Sequence, residues 1–152
     1  MAFKPVTMSD SAVCVSPYDP AIDDEQTDWA KYGETWLKGN WREHVKVRDG
    51  EALTEFVVGV IPPDEMSKIS DECRSADGTY REEEARWRCF CWALRDIRGW
   101  PVEVPKIKRD GVEYVDPKWL RTTFVRGLRK VALHIGASAW AYNQLTEEEI
   151  KN

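Results

Sequence analysis

One stretch, "RWRCFCWALRDIRGW" (86 to 100), constrains this chain more than any other. Trp87, Phe90, Cys91, Leu94 and Ile97 recur at steps of three and four, the spacing that gathers apolar side chains on one face of an α-helix. Glu82, Glu83 and Glu84 precede the stripe, and Arg95 and Arg98 stand near its end. That charge order suits the helix macrodipole, and Gly99 is a natural stop. The spacing therefore predicts a helix through 98 with one face in a core. Trp92 falls off the stripe, so this helix needs a second apolar contact on its other side, from this chain or from a partner.

A second stripe follows. In "DPKWL", Asp116 is placed to cap a helix and Pro117 to occupy its first position. Leu120, Phe124, Leu128, Val131, Ile135, Ala139 and Tyr142 then share one face, which predicts a single long helix. Gly136, Ala137, Ser138 and Ala139 are small enough to let a neighbouring helix come close. Thr146 is placed to cap a final turn in "LTEEEIKN".

Upstream, "REHVKV" (42 to 47) and "LTEFVVGV" (53 to 60) are β-rich runs, with Asp49-Gly50 as turn chemistry between them, and predict a hairpin. Pro62 and Pro63 end the second run, and Asp64 is placed to cap a helix across "DEMSKISDECRS". "PVEVPKIKRDGVEYV" (101 to 115) reads as a loop or small hairpin turning at Asp110-Gly111. Residues 1–40 differ from the rest: Pro5, Pro17 and Pro20, few aliphatics and the acidic "DDEQTD" predict an extended arm. A short helix fits 23–38, with Trp29, Tyr32 and Trp36 in one stripe. The expected fold class is α+β: the N-terminal arm (1–40), then one globular domain (41–152) in which a small β-hairpin packs on a bundle of three or more helices.

The chain has 152 residues, enough for one domain with its own core. No apolar run reaches the roughly 18–20 residues of a membrane helix. The first residues lack a basic-then-apolar signal, so a cytoplasmic setting is expected. A net charge of −5 weighs against nucleic-acid binding. Arg121, Arg126, Arg129 and Lys130 nevertheless form a basic patch.

Chemistry-bearing residues are few. Cys14, Cys73, Cys89 and Cys91 make no disulfide framework and read as buried free thiols. The C-x-C spacing of Cys89 and Cys91 sets their side chains about 200° apart around a helix. Structural zinc sites use paired C-x2-C or H-x3-H spacings, so no metal is expected. A thiol in mid-helix lacks the nearby base or helix N-terminus that would activate it. His134 reads as a partly buried, hydrogen-bonded residue, and His44 as a solvent-facing one in a strand. The consecutive glutamates 82–84 spread around a helix end, and no glycine-rich phosphate loop is present. No catalytic residue and no cofactor is expected.

Eight tryptophans are more than a modest core easily absorbs. Trp and Tyr are favoured anchors of protein interfaces. Trp29, Tyr32, Trp36, Trp92 and Trp100 are therefore the candidate partner-binding residues.

The order of segments carries a resemblance. "YDPAIDDEQTDWAKYGETW" is followed by "TEFVVGVIPPDEM", an Arg-rich aromatic helix ending "RDIRGW", then "DGVEYVDPKWL" and "NQLTEEEIKN". Over most of residues 18–152 this resembles small proteins from the morphogenesis gene clusters of tailed bacteriophages, in particular tail assembly chaperone-like proteins. The resemblance implies a non-enzymatic protein of virion assembly, acting through protein–protein contacts either as a chaperone or as a structural component. Its partners would be other phage structural or tail proteins, with homo-oligomers among the options. It would work in the host cytoplasm during assembly or be incorporated in the virion. Two other classes stay open. A regulatory binder that inhibits a host protein predicts a stable monomer, and a small enzyme predicts a polar pocket near Cys89, Cys91 or His134.

Overall fold

The structure is a computed structural model that describes residues 10–151, with side chains as far as Gln144. Its organising element is the run "EFVVG", which forms strand β2 (Glu55–Gly59). Phe56, Val57, Val58 and Gly59 are all buried, the mark of a strand covered on both faces. It pairs antiparallel with β1 (Ser11–Cys14) on one side and β3 (Leu94–Arg98) on the other. Val13 lies opposite Val57 and Ile97 opposite Phe56. A second antiparallel sheet joins β4 (Lys106–Arg109) to β5 (Val112–Val115). Five α-helices complete the described residues: α1 (Trp29–Thr35), α2 (Pro63–Glu72), α3 (Glu82–Ala93), α4 (Pro117–Phe124) and α5 (Arg129–Lys151). The fold is α+β.

The segment 10–40 is not an extended arm. It supplies β1, and its Val15, Ile22, Tyr32 and Trp36 belong to the same core as the rest of the chain. The boundary at residue 40 therefore divides no described structure; residues 1–9 of the expected arm lie outside the described residues. Apolar side chains spaced through a proline-containing stretch are enough to bind it to a sheet edge. The helix expected over 23–38 forms as α1, capped by Asp28, whose side chain accepts from Lys31 N at 3.1 Å, and is followed by a 3-10 turn at Trp36–Lys38.

The hairpin of 42–47 with 53–60 does not form. Residues Arg42–His44 make a 3-10 turn, and Val47 bridges to Ile22. A strand buried on both faces needs a partner along each edge, and a local hairpin offers only one; β1 and β3 supply both. The helix expected through residue 98 also stops early. Leu94 turns extended (φ −73°, ψ 117°) and β3 starts without a loop. Leu94 and Ile97 satisfy a helical period and a strand alike, but pairing with β2 gives 94–98 a hydrogen-bonding partner. Gly99 is required, since a Cβ there would meet Leu53 O at 2.5 Å and φ is +80°.

The turn at Asp110-Gly111 is as expected, both residues at positive φ (50° and 78°), the hairpin-favouring geometry. In α2, Pro63 is the first helical residue and Asp64 lies in the first turn rather than at the cap. Asp116 caps α4 as expected, accepting from Lys118 N at 3.0 Å. The single long helix, however, is two: Gly127 (φ +74°) breaks it into α4 and α5. The break makes an elbow that sends Phe124 under the sheet, where its ring meets Phe56 at 6.3 Å and Phe90 at 5.0 Å. Each such pair adds about 0.5–1.5 kcal/mol beyond burial. Beyond residue 144 the helix continues to Lys151, so Thr146 opens no new turn.

The helices α3 and α5 form the closest helix pair. Gly136 sits so near the Arg86 carbonyl that no Cβ fits, which is the approach the small residues at 136–139 predict. One turn after Ala139, buried Asn143 ties α5 to the end of β2. Its Oδ1 accepts from Ile61 N at 2.8 Å, and its Nδ2 donates to Gly59 O at 3.3 Å and Ala139 O at 2.8 Å.

Candidate interaction surface

The aromatic residues expected to bind a partner are mostly occupied by their own chain. Tyr32 and Trp36 are buried, and the Tyr32 hydroxyl both accepts from Val15 N at 2.9 Å and donates to Val15 O at 3.2 Å. Those two are corrected to core residues. None of the eight tryptophans is fully exposed. Trp92 is half-buried, and its second contact is intramolecular: the Arg109 guanidinium lies over the ring at 3.9 Å. Arg109 also lies over Tyr114 at 5.0 Å and donates to Trp92 O at 3.3 Å. The β4–β5 hairpin thus covers the face of α3 that the sequence left without a partner. Trp29 meets Tyr32 edge-on at 5.4 Å, and its indole N–H donates to Asp24 Oδ1 at 3.1 Å. Trp100 stacks on Phe124 at 5.3 Å and meets Trp119 at 6.0 Å.

All four cysteines are buried and free. Burial pushes the Cys14 thiol up to about 12, despite a hydrogen bond with Ser138. Burial likewise raises Cys89 to about 12, helped by Cys73, and raises Cys91 against the pull of Arg121. These are thiols, not thiolates, at neutral pH. Among the described residues no group of three or more His, Cys, Asp or Glu is placed to hold a metal ion. Cys89 does border a cleft of about 290 Å³ between α3 and α5, with Tyr80, Ala85, Arg86, Ala137 and Trp140. His134 is half-buried on α5, its Nδ1 without a hydrogen-bond partner among the described residues, where hydrogen bonding was expected. The ring of Tyr18 meets it edge-on at 6.4 Å. Burial, then the nearby Arg86, hold its pKa below the usual imidazole value.

The outward-facing apolar groups lie elsewhere. Among the described residues the exposed large apolar side chains are Val102 (61%), Tyr18 (54%), Val125 (50%) and Tyr80 (38%), against 7% for Trp36. Tyr18 borders a small, mostly apolar pocket of about 120 Å³ where Asp19, Pro20, Trp100, Phe124, Leu128 and Val131 converge. Val125 follows Phe124 directly, at the elbow between α4 and α5. Arg121, Arg126, Arg129 and Lys130, the basic patch expected from the sequence, are exposed along α4, the elbow and the start of α5, as is Lys118. Among the described residues only Arg129 of these pairs with a carboxylate, Glu83 at 3.4 Å. Of the five candidate residues, Trp100 alone lies at this pocket. Sequence reasoning missed Tyr18 and Val125. Their signals were slight: a tyrosine between two prolines in "SPYDP", and a valine off the helix stripe in "FVRGLRK".

No helix among the described residues is long and apolar enough to cross a membrane. No protein-family model, curated protein or solved structure matches the chain.

Proposed function

We propose that this chain is a non-enzymatic assembly protein of a tailed bacteriophage, chaperone-like for tail components or built into the virion, which works through protein–protein contacts at the α4–α5 elbow. The observation that carries the reading is an apolar pocket bordered by exposed Tyr18, whose lining residues Phe124, Leu128 and Val131 have exposed Val125, Arg129 and Lys130 as their sequence neighbours. An aromatic beside a pocket, with charge at the margin, has the composition of an interface rather than of ordinary surface. The thiols held protonated at Cys14 and Cys89 favour binding over nucleophilic chemistry. The assignment to phage assembly itself comes from the order of sequence segments.

Co-expression with the products of the genes flanking its own, followed by size-exclusion chromatography, tests it. A complex with a tail or virion component is expected. Tyr18→Ser with Val125→Ser should weaken that complex by about thirtyfold, the effect of losing a modest interface anchor. A complex indifferent to these substitutions, or none at all, would overturn the reading. Capture of a host enzyme instead would move the chain to the class of regulatory binders.

A further inference from the structure

Charge is segregated along this chain. Residues 117–130 carry five cations (Lys118, Arg121, Arg126, Arg129, Lys130) and no carboxylate. Residues 19–34 carry six carboxylates (Asp19, Asp23, Asp24, Glu25, Asp28, Glu34) and one cation, Lys31. Among the described residues no ion pair joins the two stretches. Lys31 pairs with Glu34 at 3.6 Å, and Arg129 with Glu83 at 3.4 Å. Lys46 and Arg48 run beside the acidic stretch, their backbone bonded to Asp23 and Ala21, without forming an ion pair to it.

We propose that a second copy of this chain docks on the elbow, presenting the acidic stretch around Trp29 to the basic patch and apolar pocket. The proposal rests on the reading of the elbow as a contact surface and names its partner. Apolar shape agrees with charge. Half-buried Trp29 stands among exposed Asp24, Glu25 and Asp28, an aromatic anchor with acidic neighbours. The elbow offers the complement: exposed Arg126, Arg129 and Lys130 interleave in sequence with Phe124, Leu128 and Val131 of the apolar pocket, whose one charged lining residue is Asp19. Opposed potentials of this kind set register and speed encounter. A phosphate polymer would satisfy the cations alone. A nucleic acid would add base stacking on Tyr18 but nothing for Val125, and it would meet the repulsion of a chain of net charge −5.

The test is a charge swap read by solution mass. One chain carries Arg126→Glu and Lys130→Glu, and another Glu25→Lys and Glu34→Lys; all four positions are exposed, so both chains should fold. Light scattering across a wide range of concentration, at low and high salt, follows association. The wild type should self-associate, less so at high salt. Each swapped chain alone should associate about tenfold more weakly or worse, because like charges then face each other. Mixing the two swapped chains should restore association, because opposite charges meet again. A wild type that stays monomeric, or association that ignores both swaps, or a mixture that fails to recover, overturns the proposal. So does tight binding of a single-stranded oligonucleotide that is lost with Arg126→Glu and Lys130→Glu while the wild type stays monomeric. A monomer that still captures a different protein through Tyr18 sinks this inference and leaves the contact reading standing; failure of both leaves neither.

Discussion

The α3–α5 seam and the α4–α5 elbow serve opposite ends. At the α3–α5 seam, Gly136 takes the Arg86 carbonyl without room for a Cβ, and Asn143 completes the hydrogen bonds of Ile61 N and Gly59 O. Upstream, at the elbow, Val125 stands half in solvent beside cations, most of which have no carboxylate within reach among the described residues. The seam closes on itself and the elbow does not. Seam residues should therefore be costly to change and silent in binding, and elbow residues the reverse. Tryptophan content does not distinguish them, since Trp87, Trp92 and Trp140 are as much a part of the core's margin as Trp100 and Trp119 are.

The largest expected effect is at Gly136. Gly136→Ala forces a methyl against a backbone carbonyl that cannot rotate away, so α3 and α5 must separate. A loss of about 3 kcal/mol in urea denaturation is expected. A loss under about 0.5 kcal/mol would show that the seam is loose. Next comes Asn143→Leu, which keeps the branched shape of the side chain but leaves the buried Ile61 N–H without its acceptor. About 2 kcal/mol should disappear, with association through the elbow unchanged. If binding fell while stability held, the division between seam and elbow would be wrong.

His134 lies between the two regions, and its effect is one of pH. Folded His134 binds a proton less readily than its unfolded value of 6.5, because burial and Arg86 both disfavour the charged form. Its contribution is therefore present in full above 6.5 and drains as pH falls below it, through the lowered folded value. Denaturation midpoints measured from about pH 8 down to about pH 5 should decline in the wild type. The decline should be shallower in His134→Gln. Equal slopes would mean that His134 is solvated when folded. The smallest stability change belongs to Tyr18→Ser with Val125→Ser, about 0.5 kcal/mol or less for each exposed position. That pair should nonetheless weaken association strongly, so the ratio of the two effects reports the contrast.

Local chemistry was the legible part of this fold. Asp116 with Pro117 and Asp110 with Gly111 act within a few residues, and each does in the structure what its chemistry predicts. What stayed hidden was pairing between distant segments. β2 looks like half of a hairpin because its true partners, β1 and β3, lie some 40 residues away on either side, in segments that read as an arm and as the end of a helix. Ile97 shows why: its spacing from Leu94 fits a helix, and only the open edge of β2 decides for a strand. The interaction surface was harder still to see. Large aromatics are recognisable by type, but whether their own chain covers them depends on tertiary contacts such as Arg109 over Trp92. Tyr18 and Val125 drew no notice because neither belongs to a stripe.

A photo-crosslinking amino acid, placed at position 18 in one chain and at position 92 in another, tests the contrast most directly. Both chains are irradiated with the co-expressed products of the flanking genes. The account predicts an intermolecular adduct from position 18, whether to a second copy or to another assembly protein, and only intramolecular products from position 92. An intermolecular adduct from position 92 and none from position 18 would contradict it, placing the contact surface on the tryptophan-bearing face of α3 instead.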